Sequence, residues 1–338
     1  MIIPVKTSQG NYDIVFGRGG LNSAHEHMRL DRRVLIVTDS GVPGEYSEKI
    51  ASFCKTPVIH TIPQGEASKT LDTFKELLEV LVKSSFTRSD CVVAVGGGVV
   101  GDLSGFVASA FMRGNDIYNI PTTFLSQVDY SVGGKTAVDF MGIKNIVGAF
   151  YPPKCVIVDP DTLSTLPSRQ ISNGVAESIK MAATSDRELF EFLETCDIND
   201  PRSTDFIIER SLLIKKNVVE EDEKESGLRR VLNFGHTLAH AIESVSEFSE
   251  LYHGECVALG MLPMCTSEVR ARLINILKKF NLPTSFEANA DSLIEAASHD
   301  KKLSGDKITL VYVNSPADFE FKKIPFSEYE ILLREAVK

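Results

Sequence analysis

A short run of β-branched residues passes directly into a glycine-rich turn, and this arrangement restricts the fold of the chain more than any other feature. Residues 91–95 are apolar throughout, which is typical of a strand that is buried on both faces of a parallel sheet. Gly96, Gly98 and Gly101 follow at the spacing of a turn that opens a helix. The combination predicts a strand–turn–helix unit and therefore an α/β fold.

The same alternation of strands and helices runs through the first half of the chain. Further strands are predicted at residues 34–37, 58–62, 117–120 and 155–158, and residues 2–6 and 12–16 predict a β-hairpin. Residues 71–82 have the apolar spacing of an amphipathic helix. Strands separated by helices in this order favour a mostly parallel sheet with right-handed crossovers.

From Gln170 onward the sequence favours helices instead. Helical segments are predicted at residues 171–183, 186–195, 203–221, 230–245, 254–280 and 291–299, whereas a strand is predicted only at residues 308–313. Pro167 and Pro201 mark segment boundaries, because proline is tolerated at the start of a helix but not in its interior. The change of pattern places a domain boundary between Pro160 and Pro167.

Composition and charge exclude several classes of protein. The chain has 338 residues and a net charge of -10, which argues against a nucleic-acid-binding protein because such proteins carry a basic surface. No segment approaches the roughly 18 consecutive apolar residues of a membrane span. The six cysteines are scattered without a Cys-x-x-Cys pair, as expected of buried thiols in a reducing compartment. We therefore expect a cytoplasmic protein with neither nucleic-acid nor membrane partners.

The glycine-rich turn also predicts a nucleotide site. Its G-x-G-x-x-G spacing lets backbone N–H groups approach a pyrophosphate at the N-terminus of the following helix. Asp102, at the start of that helix, would contact the ribose or nicotinamide of a dinucleotide. The alternative is a tight turn without a ligand, in which Asp102 serves only as a helix cap.

Lysine and arginine residues indicate a second site, for an anion. Lys135 lies beside two glycines and is followed nine residues later by Lys144 and Asn145, so this segment offers cations and amide donors. In the helical half, cations occur at Lys180, Lys215, Arg229, Lys301 and Lys302. Taken alone, each of these side chains is more simply explained as a solvated surface charge.

Three of the seven histidines fall close together in the helical half. His236 and His240 are four residues apart, so a helix would place both imidazoles on one face, and His253 follows shortly. Glu177 lies in a small and apolar stretch, where a carboxylate needs a partner. A glutamate with two histidines is a ligand pattern of catalytic zinc. Spacing leaves open whether His240 or His253 completes the set, and whether these are instead core histidines bonded to backbone.

In their order along the chain, these segments resemble the 3-dehydroquinate synthase family of sugar phosphate cyclases. The matching blocks are Pro63 to Glu66 with Lys69, Gly96 to Asp102, Met112 to Gly114, Pro121 to Thr123, Gln127 to Asp129, Gly133 to Thr136, Lys144-Asn145, Leu166 to Arg169, Gly174 to Glu177 with Lys180, Asp222-Glu223 with Glu225, Gly227 to Arg229, Asn233 to His240, His253 to Glu255 and Asp300 to Lys302. The resemblance is specific, because many separate blocks agree in order over essentially the whole chain.

The resemblance implies a fold and a reaction. The fold is a Rossmann-like α/β nucleotide-binding domain over residues 1–165, followed by an all-α domain over residues 166–338 that binds metal and substrate. Members of the family are lyases that use NAD and zinc, with cobalt as an alternative metal. They convert 3-deoxy-D-arabino-heptulosonate 7-phosphate to 3-dehydroquinate and phosphate in the shikimate pathway. By similarity the chain would form a homodimer in which Arg113 reaches the neighbouring subunit's site.

The same resemblance assigns roles to individual residues. It assigns zinc to Glu177, His236 and His253, and makes His240 either a residue that supports the ligands or a proton-transfer residue rather than a ligand. It assigns NAD to Asp39, Glu66, Lys69, Gly97, Gly98, Val99, Asp102, Thr122, Thr123, Lys144, Thr162, Thr165 and Asn173. It assigns catalysis to Asp129, Lys135, Asn145, Lys180 and His240, and substrate binding to Arg113, Lys215, Arg229, Asn233 and Lys301 or Lys302.

Three other functions are compatible with parts of this pattern. Another sugar phosphate cyclase, of the deoxy-scyllo-inosose or epi-valiolone type, would act on a substrate without a carboxylate, which the set of Lys215, Arg229 and Asn233 disfavours. A polyol dehydrogenase of the iron-containing or glycerol type would need a different metal-ligand pattern. A non-enzymatic relative would be expected to have lost a metal ligand, and all three are present.

Overall fold

The computed structural model describes residues 1–225, 227–245, 251–298, 303–304 and 306–336. The chain divides into two units, Met1–Pro167 and Ser168–Lys338. The prediction of an α/β domain followed by a helical domain is confirmed, but the second unit is not all-α, because it also contains a three-stranded sheet. Among the described residues, none of the helices combines the length and apolarity that a bilayer-crossing segment requires.

The first unit is built on a mostly parallel sheet. Its strands are β1 (Ile2–Val5), β2 (Tyr12–Phe16), β3 (Arg33–Asp39), β4 (Thr56–Ile62), β5 (Cys91–Gly96), β6 (Asp116–Pro121), β7 (Lys135–Phe140), β8 (Ile143–Phe150) and β9 (Cys155–Val158). Its helices are α1 (Ala24–His27), α2 (Gly44–Ala51), α3 (Leu71–Lys83) and α4 (Gly98–Ala110), with a π-helix at Ser126–Tyr130 and short 3-10 helices at Gly20–Ser23, Glu66–Ser68, Phe111–Arg113 and Pro160–Thr165. Seven strands pair in the order β1-β2-β9-β6-β5-β3-β4. β1 is antiparallel to β2, and the other neighbours are parallel.

Alternate residues of the central strands pack on opposite faces of this sheet. Leu35 and Val92 belong to one buried cluster together with Leu103 of α4. Ile36 and Val93 belong to a second buried cluster on the other side. Because successive side chains of a strand point to opposite faces, a sheet that is covered on both sides requires continuous apolar runs. This is why the short runs in the sequence predicted the parallel strands.

A separate antiparallel hairpin of β7 and β8 was not predicted. Gly142, Asn145 and Gly148 are poor strand-forming residues, so the sequence resembled a glycine-rich loop that offers cations to an anion. The pairing nevertheless depends on one of these residues. A Cβ at position 148 would collide with the backbone oxygen of Thr136 on β7, and glycine avoids this contact.

The second unit combines helices with a small sheet. Its helices are α5 (Ser168–Ser185), α6 (Arg187–Thr195), α7 (Pro201–Glu221), α8 (His236–Val245), α9 (His253–Met261), α10 (Ser267–Lys279), α11 (Ala290–Ser298) and α12 (Phe326–Ala336), with 3-10 helices at Leu228–Asn233 and Leu262–Met264. Strands β10 (Leu303–Ser304), β11 (Lys307–Ser315) and β12 (Asp318–Pro325) pair antiparallel in that order. The one strand predicted here lies within β11. β12 was missed because most of its side chains are exposed or half-buried and several are charged, which weakens the apolar pattern of a strand.

Two helices that were predicted as continuous are interrupted, so those two predictions were wrong. In the segment 230–245, Gly235 has a φ of 78°, which a right-handed helix does not allow, and α8 therefore begins at His236. In the segment 254–280, Cys265 is extended and pairs with Val313 of β11, which separates α9 from α10. The first interruption places a histidine at the start of a helix.

Two glycines let α9 approach its neighbours closely. A Cβ at Gly260 would collide with the backbone oxygen of Gly235, which directly precedes α8. A Cβ at Gly254 would collide with the backbone oxygen of Asn173 on α5. Both obstacles are backbone atoms, so a side-chain rotation cannot relieve either collision. α9 is therefore held close to α5, which carries Glu177, near its start, and close to the residue before His236 near its end.

This close contact generates a stability prediction. We expect Gly260→Ala to lower the free energy of unfolding by about 1–3 kcal/mol, because overpacking at a backbone contact forces the helices apart. Gly44→Ala in α2 is the control, since the nearest atom to a Cβ there is a glutamate side-chain oxygen at 3.8 Å. Urea denaturation of both variants provides the measurement. Equal stability of the two variants would contradict the packing argument.

Candidate active-site residues

Three predicted metal ligands converge in the second unit. One ligand atom from each of Glu177, His236 and His253 lies within 4.8 Å of the other two. Glu177 is in the buried middle of α5, whereas His236 and His253 are the first residues of α8 and α9. We call these three residues the Glu/His/His group. The structure therefore brings His253, rather than His240, to the glutamate.

The carboxylate of Glu177 has one oxygen that its protein neighbours do not satisfy. Its Oε1 lies 3.6 Å from Nε2 of His236 and 3.4 Å from Nε2 of His253, and among the described residues it has no hydrogen-bond partner. Its Oε2 forms an ion pair with the buried Lys180 one turn further along α5. An unsatisfied buried oxygen is costly, and a cation between the three ligand atoms would remove that cost. The donor set therefore fits a metal ion.

Local electrostatics set the protonation of this group. Burial favours the neutral form of Glu177, but Lys180 and the two imidazoles hold the pKa of its carboxyl well below the ordinary value. Burial, together with Lys180, holds the pKa of His236 well below the ordinary value. His253 is half-buried, and its contacts with the carboxylates of Glu177 and Glu243 outweigh desolvation and raise its pKa to about 10. A carboxylate and a neutral imidazole, the forms that coordinate a cation, are thus present in Glu177 and His236.

The start of α9 is fixed by polar contacts from α5. Arg169 donates to both carboxylate oxygens of Glu255 at 2.7 and 2.8 Å, and its guanidinium lies 4.2 Å from the ring centroid of Tyr252. Glu255 in turn accepts from the backbone N–H of Tyr252 at 2.8 Å, which caps the helix. Asn173, which the resemblance assigns to NAD, accepts from the backbone N–H of Gly254 through Oδ1 at 2.6 Å. These bonds hold the segment that carries the second histidine of the group.

α8 carries two further polar side chains beside the group. His240 is exposed, and its ring centroid lies 5.7 Å from that of His236 in an edge-on arrangement. Glu243 is mostly buried and accepts from Nδ1 of His253 at 2.7 Å. Sequence reasoning missed Glu243. The signal that could have found it is its position seven residues after His236, which is two turns along the same helix face.

The predicted anion-binding residues of the second unit lie in polar, largely buried settings. Lys215 on α7 and Arg229 are buried. Arg229 donates to the backbone oxygen of Glu223 at 2.5 Å, and Asn233 donates to Glu225 at 2.8 Å. Lys301 and Lys302 lie outside the described residues. Arginine side chains are mostly exposed to solvent, but Arg229 is buried. It is therefore not an ordinary solvated surface charge.

In the first unit, the glycine-rich turn lies at the carboxyl end of β5. Gly97 caps α4, and a Cβ on it would lie 3.2 Å from Thr123. At Gly98 a Cβ would meet no atom within 4 Å in the part of the chain that the structure describes. Thr122 follows β6, and its N–H donates to the backbone oxygen of Gly96 at 3.0 Å. The turn thus opens α4 beside the end of β6, which is where doubly wound sheets bind nucleotides.

Lys69 links several of the other residues that the resemblance assigns to NAD and catalysis. Its ammonium lies 2.5 Å from Asp102 and 3.8 Å from Glu66, and it donates to Asn145. Burial raises the pKa of Asp102 to about 6 even though the ammonium opposes this shift. Burial acts against the charge of Lys69, but Asp102 and Glu66 raise its pKa. Asn145 has a φ of 55°, and its N–H donates to Asp139 at 2.7 Å.

The remaining assigned residues of the first unit are distributed over several elements. Asp39 ends β3 and accepts from the N–H of Gly41 at 2.8 Å, and burial raises its pKa. Thr162 accepts from Gln127 at 3.0 Å, and Thr165 lies 3.1 Å from the hydroxyl of Tyr46. Val99 is on α4, Asp129 is in the π-helix, Lys135 is on β7, Lys144 is on β8, and Arg113 is exposed after α4.

Two family models together match residues 59–303 of the chain. Residues 59–173 match the family model of the 3-dehydroquinate synthase N-terminal region, and residues 174–303 match that of the C-terminal region. The 3-dehydroquinate synthase of Streptococcus suis strain 05ZYH33 is 40% identical over 97% of this chain and 98% of its own. That of Campylobacter concisus strain 13826 is 43% identical over 85% of this chain and 86% of its own.

Solved structures of sugar phosphate cyclases share the fold. A 2-deoxy-scyllo-inosose synthase, solved with carbaglucose-6-phosphate, NAD+ and Co2+, has a TM-score of 0.89 and 26% identity over 99% of this chain and 100% of its own. The 2-epi-5-epi-valiolone synthase of Streptomyces hygroscopicus, solved with NAD+ and Zn2+, has a TM-score of 0.87 and 26% identity over 98% of each chain. With both family models and near-full-length relatives in agreement, the chain belongs to the 3-dehydroquinate synthase family.

Proposed function

We propose that the chain catalyses the 3-dehydroquinate synthase reaction, which converts 3-deoxy-D-arabino-heptulosonate 7-phosphate to 3-dehydroquinate and phosphate. The observation that carries this proposal is the convergence of the Glu/His/His group in a member of this family. The reaction combines a transient oxidation, elimination of phosphate, re-reduction, ring opening and an intramolecular aldol closure. A chain that performs it must hold a metal, a nicotinamide and a doubly anionic substrate.

We infer that the Glu/His/His group holds zinc, with cobalt as an alternative. Two related cyclases were solved with these metals, and the donor set is one that zinc prefers. When bound, such a cation polarises substrate hydroxyl groups and lowers their pKa. The chain's own contribution is to present the ligands: Lys180 occupies Oε2 of Glu177, so that Oε1 is directed at the two imidazoles. His240, exposed and one turn from His236, is the proposed proton-transfer residue.

NAD is the second proposed cofactor. When bound, NAD would serve as a transient oxidant, accepting a hydride from the substrate and returning it later in the cycle. In this proposal residues 1–165 form the nucleotide-binding domain, and residues 166–338 form the metal- and substrate-binding domain. The open space beside Gly98 and the linked charges of Lys69 and Asp102 support the assignment of NAD to the residues named by the family resemblance.

The substrate carries a carboxylate and a phosphate, so its binding site requires positively charged side chains. We assign substrate binding to Arg113, Lys215, Arg229, Asn233 and Lys301, and catalysis to Lys135, Asp129, His240, Lys180 and Asn145. Arg229 is held by Glu223 and is therefore preorganised for bidentate contact with an anionic group. Holding both ends of a substrate positions its reacting carbons for successive steps.

The cellular setting is part of the same proposal. We place the chain in the cytoplasm as a homodimer, in the shikimate pathway that leads to chorismate and the aromatic amino acids. Met112 and Arg113 have φ values of 46° and 67°, conformations that are costly for residues other than glycine. Such a cost at an exposed arginine supports a functional placement, and we assign Arg113 to the site of the neighbouring subunit.

Phosphate release tests the proposed reaction. With NAD and zinc present, we expect the protein to release phosphate from 3-deoxy-D-arabino-heptulosonate 7-phosphate and to form 3-dehydroquinate, and we expect chelation to stop both. Glucose 6-phosphate, a sugar phosphate without a carboxylate, is the control substrate and should release none. Phosphate release from the control alone would replace the proposal with a cyclase of the inosose type.

Two histidine variants test the metal assignment. We expect His253→Ala to lose zinc on dialysis and to lose turnover, because one of three ligands is removed. His240→Ala is the matched control and should keep its zinc while turnover falls. Zinc content by atomic emission, with circular dichroism as the check on folding, distinguishes them. Zinc retained by His253→Ala, or lost by His240→Ala, would overturn the ligand set.

Two adjacent arginines test the anion site. Arg229→Ala should raise KM for the substrate by about 10–100-fold, the equivalent of one charge-assisted hydrogen bond, and leave the Kd of NAD unchanged. Arg230→Ala removes the same charge from an exposed neighbouring position and should change neither constant. Steady-state kinetics and fluorescence titration with NAD provide the measurements. Equal losses for substrate and NAD in Arg229→Ala would remove it from the anion site.

A further inference from the structure

The imidazole of His253 is held between two carboxylates at opposite ring nitrogens. Its Nδ1 donates to Oε1 of Glu243 at 2.7 Å, and its Nε2 lies 3.4 Å from Oε1 of Glu177. The two carboxylates come from different helices, α8 and α5. The shorter contact is the one to Glu243, so this residue controls the orientation of the ring more strongly than the glutamate of the metal group does.

The position of Glu243 follows from the geometry of α8. It is seven residues after His236, so both side chains lie on the face of α8 that meets α9. Gly260 allows this meeting, because its missing Cβ leaves room for the backbone before α8. One helix therefore provides a member of the Glu/His/His group and also the partner of a second member.

The two histidines of the group share a pattern of contacts. Nδ1 of His236 lies 3.3 Å from the backbone oxygen of Phe234, as Nδ1 of His253 faces Glu243. In both rings the Nε2 atom faces Oε1 of Glu177. An acceptor at Nδ1 keeps the proton on that nitrogen and leaves Nε2 available to coordinate a cation. For His253 the acceptor is a carboxylate, which also increases the basicity of the ring.

We propose that Glu243 is a positioning residue for the metal site: its carboxylate selects the tautomer and the orientation in which His253 presents Nε2 to the metal. This inference rests on the proposed metal role of the Glu/His/His group and adds a fourth residue to it. Glu243 touches His253 and acts through that ring, not on the substrate. Its removal therefore changes the affinity for the metal itself.

Zinc affinity, measured without substrate or NAD, tests the inference. Competition with a chromophoric chelator gives the Kd of zinc for the wild-type chain and for Glu243→Ala and Glu243→Gln. We expect Glu243→Ala to bind zinc about 10–100-fold more weakly, as is usual when the partner of a ligating histidine is lost. We expect a smaller loss, on the order of 10-fold or less, for Glu243→Gln, whose amide oxygen still accepts from Nδ1 but carries no charge.

Glu194→Ala is the matched control. It removes a carboxylate on α6 that pairs with Arg272 of α10 at 2.7 Å, and its zinc affinity should equal that of the wild type. Circular dichroism and thermal unfolding of the metal-free proteins report any purely structural effect. Glu243→Ala that is less stable but binds zinc normally would overturn the inference. If that variant does not fold, an unchanged zinc affinity in Glu243→Gln would overturn it instead.

The outcome is separable from that of the proposed reaction. A wild-type chain that binds zinc but releases no phosphate would contradict the proposed reaction, while weaker zinc binding by the Glu243 variants would still support the positioning role. A wild-type chain without measurable zinc affinity would contradict both.

Discussion

The Glu/His/His group of the second unit is organised around the buried carboxylate of Glu177. One oxygen is neutralised by Lys180, and the other is directed at His236 and His253 without a hydrogen-bond partner among the described residues. A protein tolerates such an oxygen only where something else stabilises the fold or occupies the site. The three helices α5, α8 and α9 converge here, and their packing is arranged to deliver one donor each.

The positions of the metal ligands depend on residues that are not themselves ligands. Arg169 and Glu255 fix the start of α9, Asn173 bonds to the next backbone N–H, and Glu243 orients the ring of His253. Gly254 and Gly260 allow the close approach of α9 to α5 and to the backbone that precedes α8. A metal site is only as well defined as the residues that hold its ligands, so these polar contacts belong to the function as much as to stability.

Sequence patterns predicted the strands and helices in which burial follows a regular pattern along the chain. Strands buried on both faces are continuous apolar runs, which is why the parallel sheet was predicted. The β7–β8 hairpin was missed because its glycines and Asn145 mimic a loop, and β12 was missed because its surface is polar. The spacing of His236 and His240 left open which histidine completes the set, because α9 brings His253 to Glu177 through a tertiary contact that local spacing does not encode. Glu243 was missed although it lies two turns after His236 on the same helix face, because only the fold shows that this face meets His253.

Anomalous diffraction at the zinc absorption edge, from crystals of the zinc-loaded protein, would locate the metal directly. We expect one zinc ion per chain, coordinated by Oε1 of Glu177 and by Nε2 of His236 and His253, with Nδ1 of His253 on Glu243. A zinc ion that is bound elsewhere, or that takes His240 in place of His253, would contradict it.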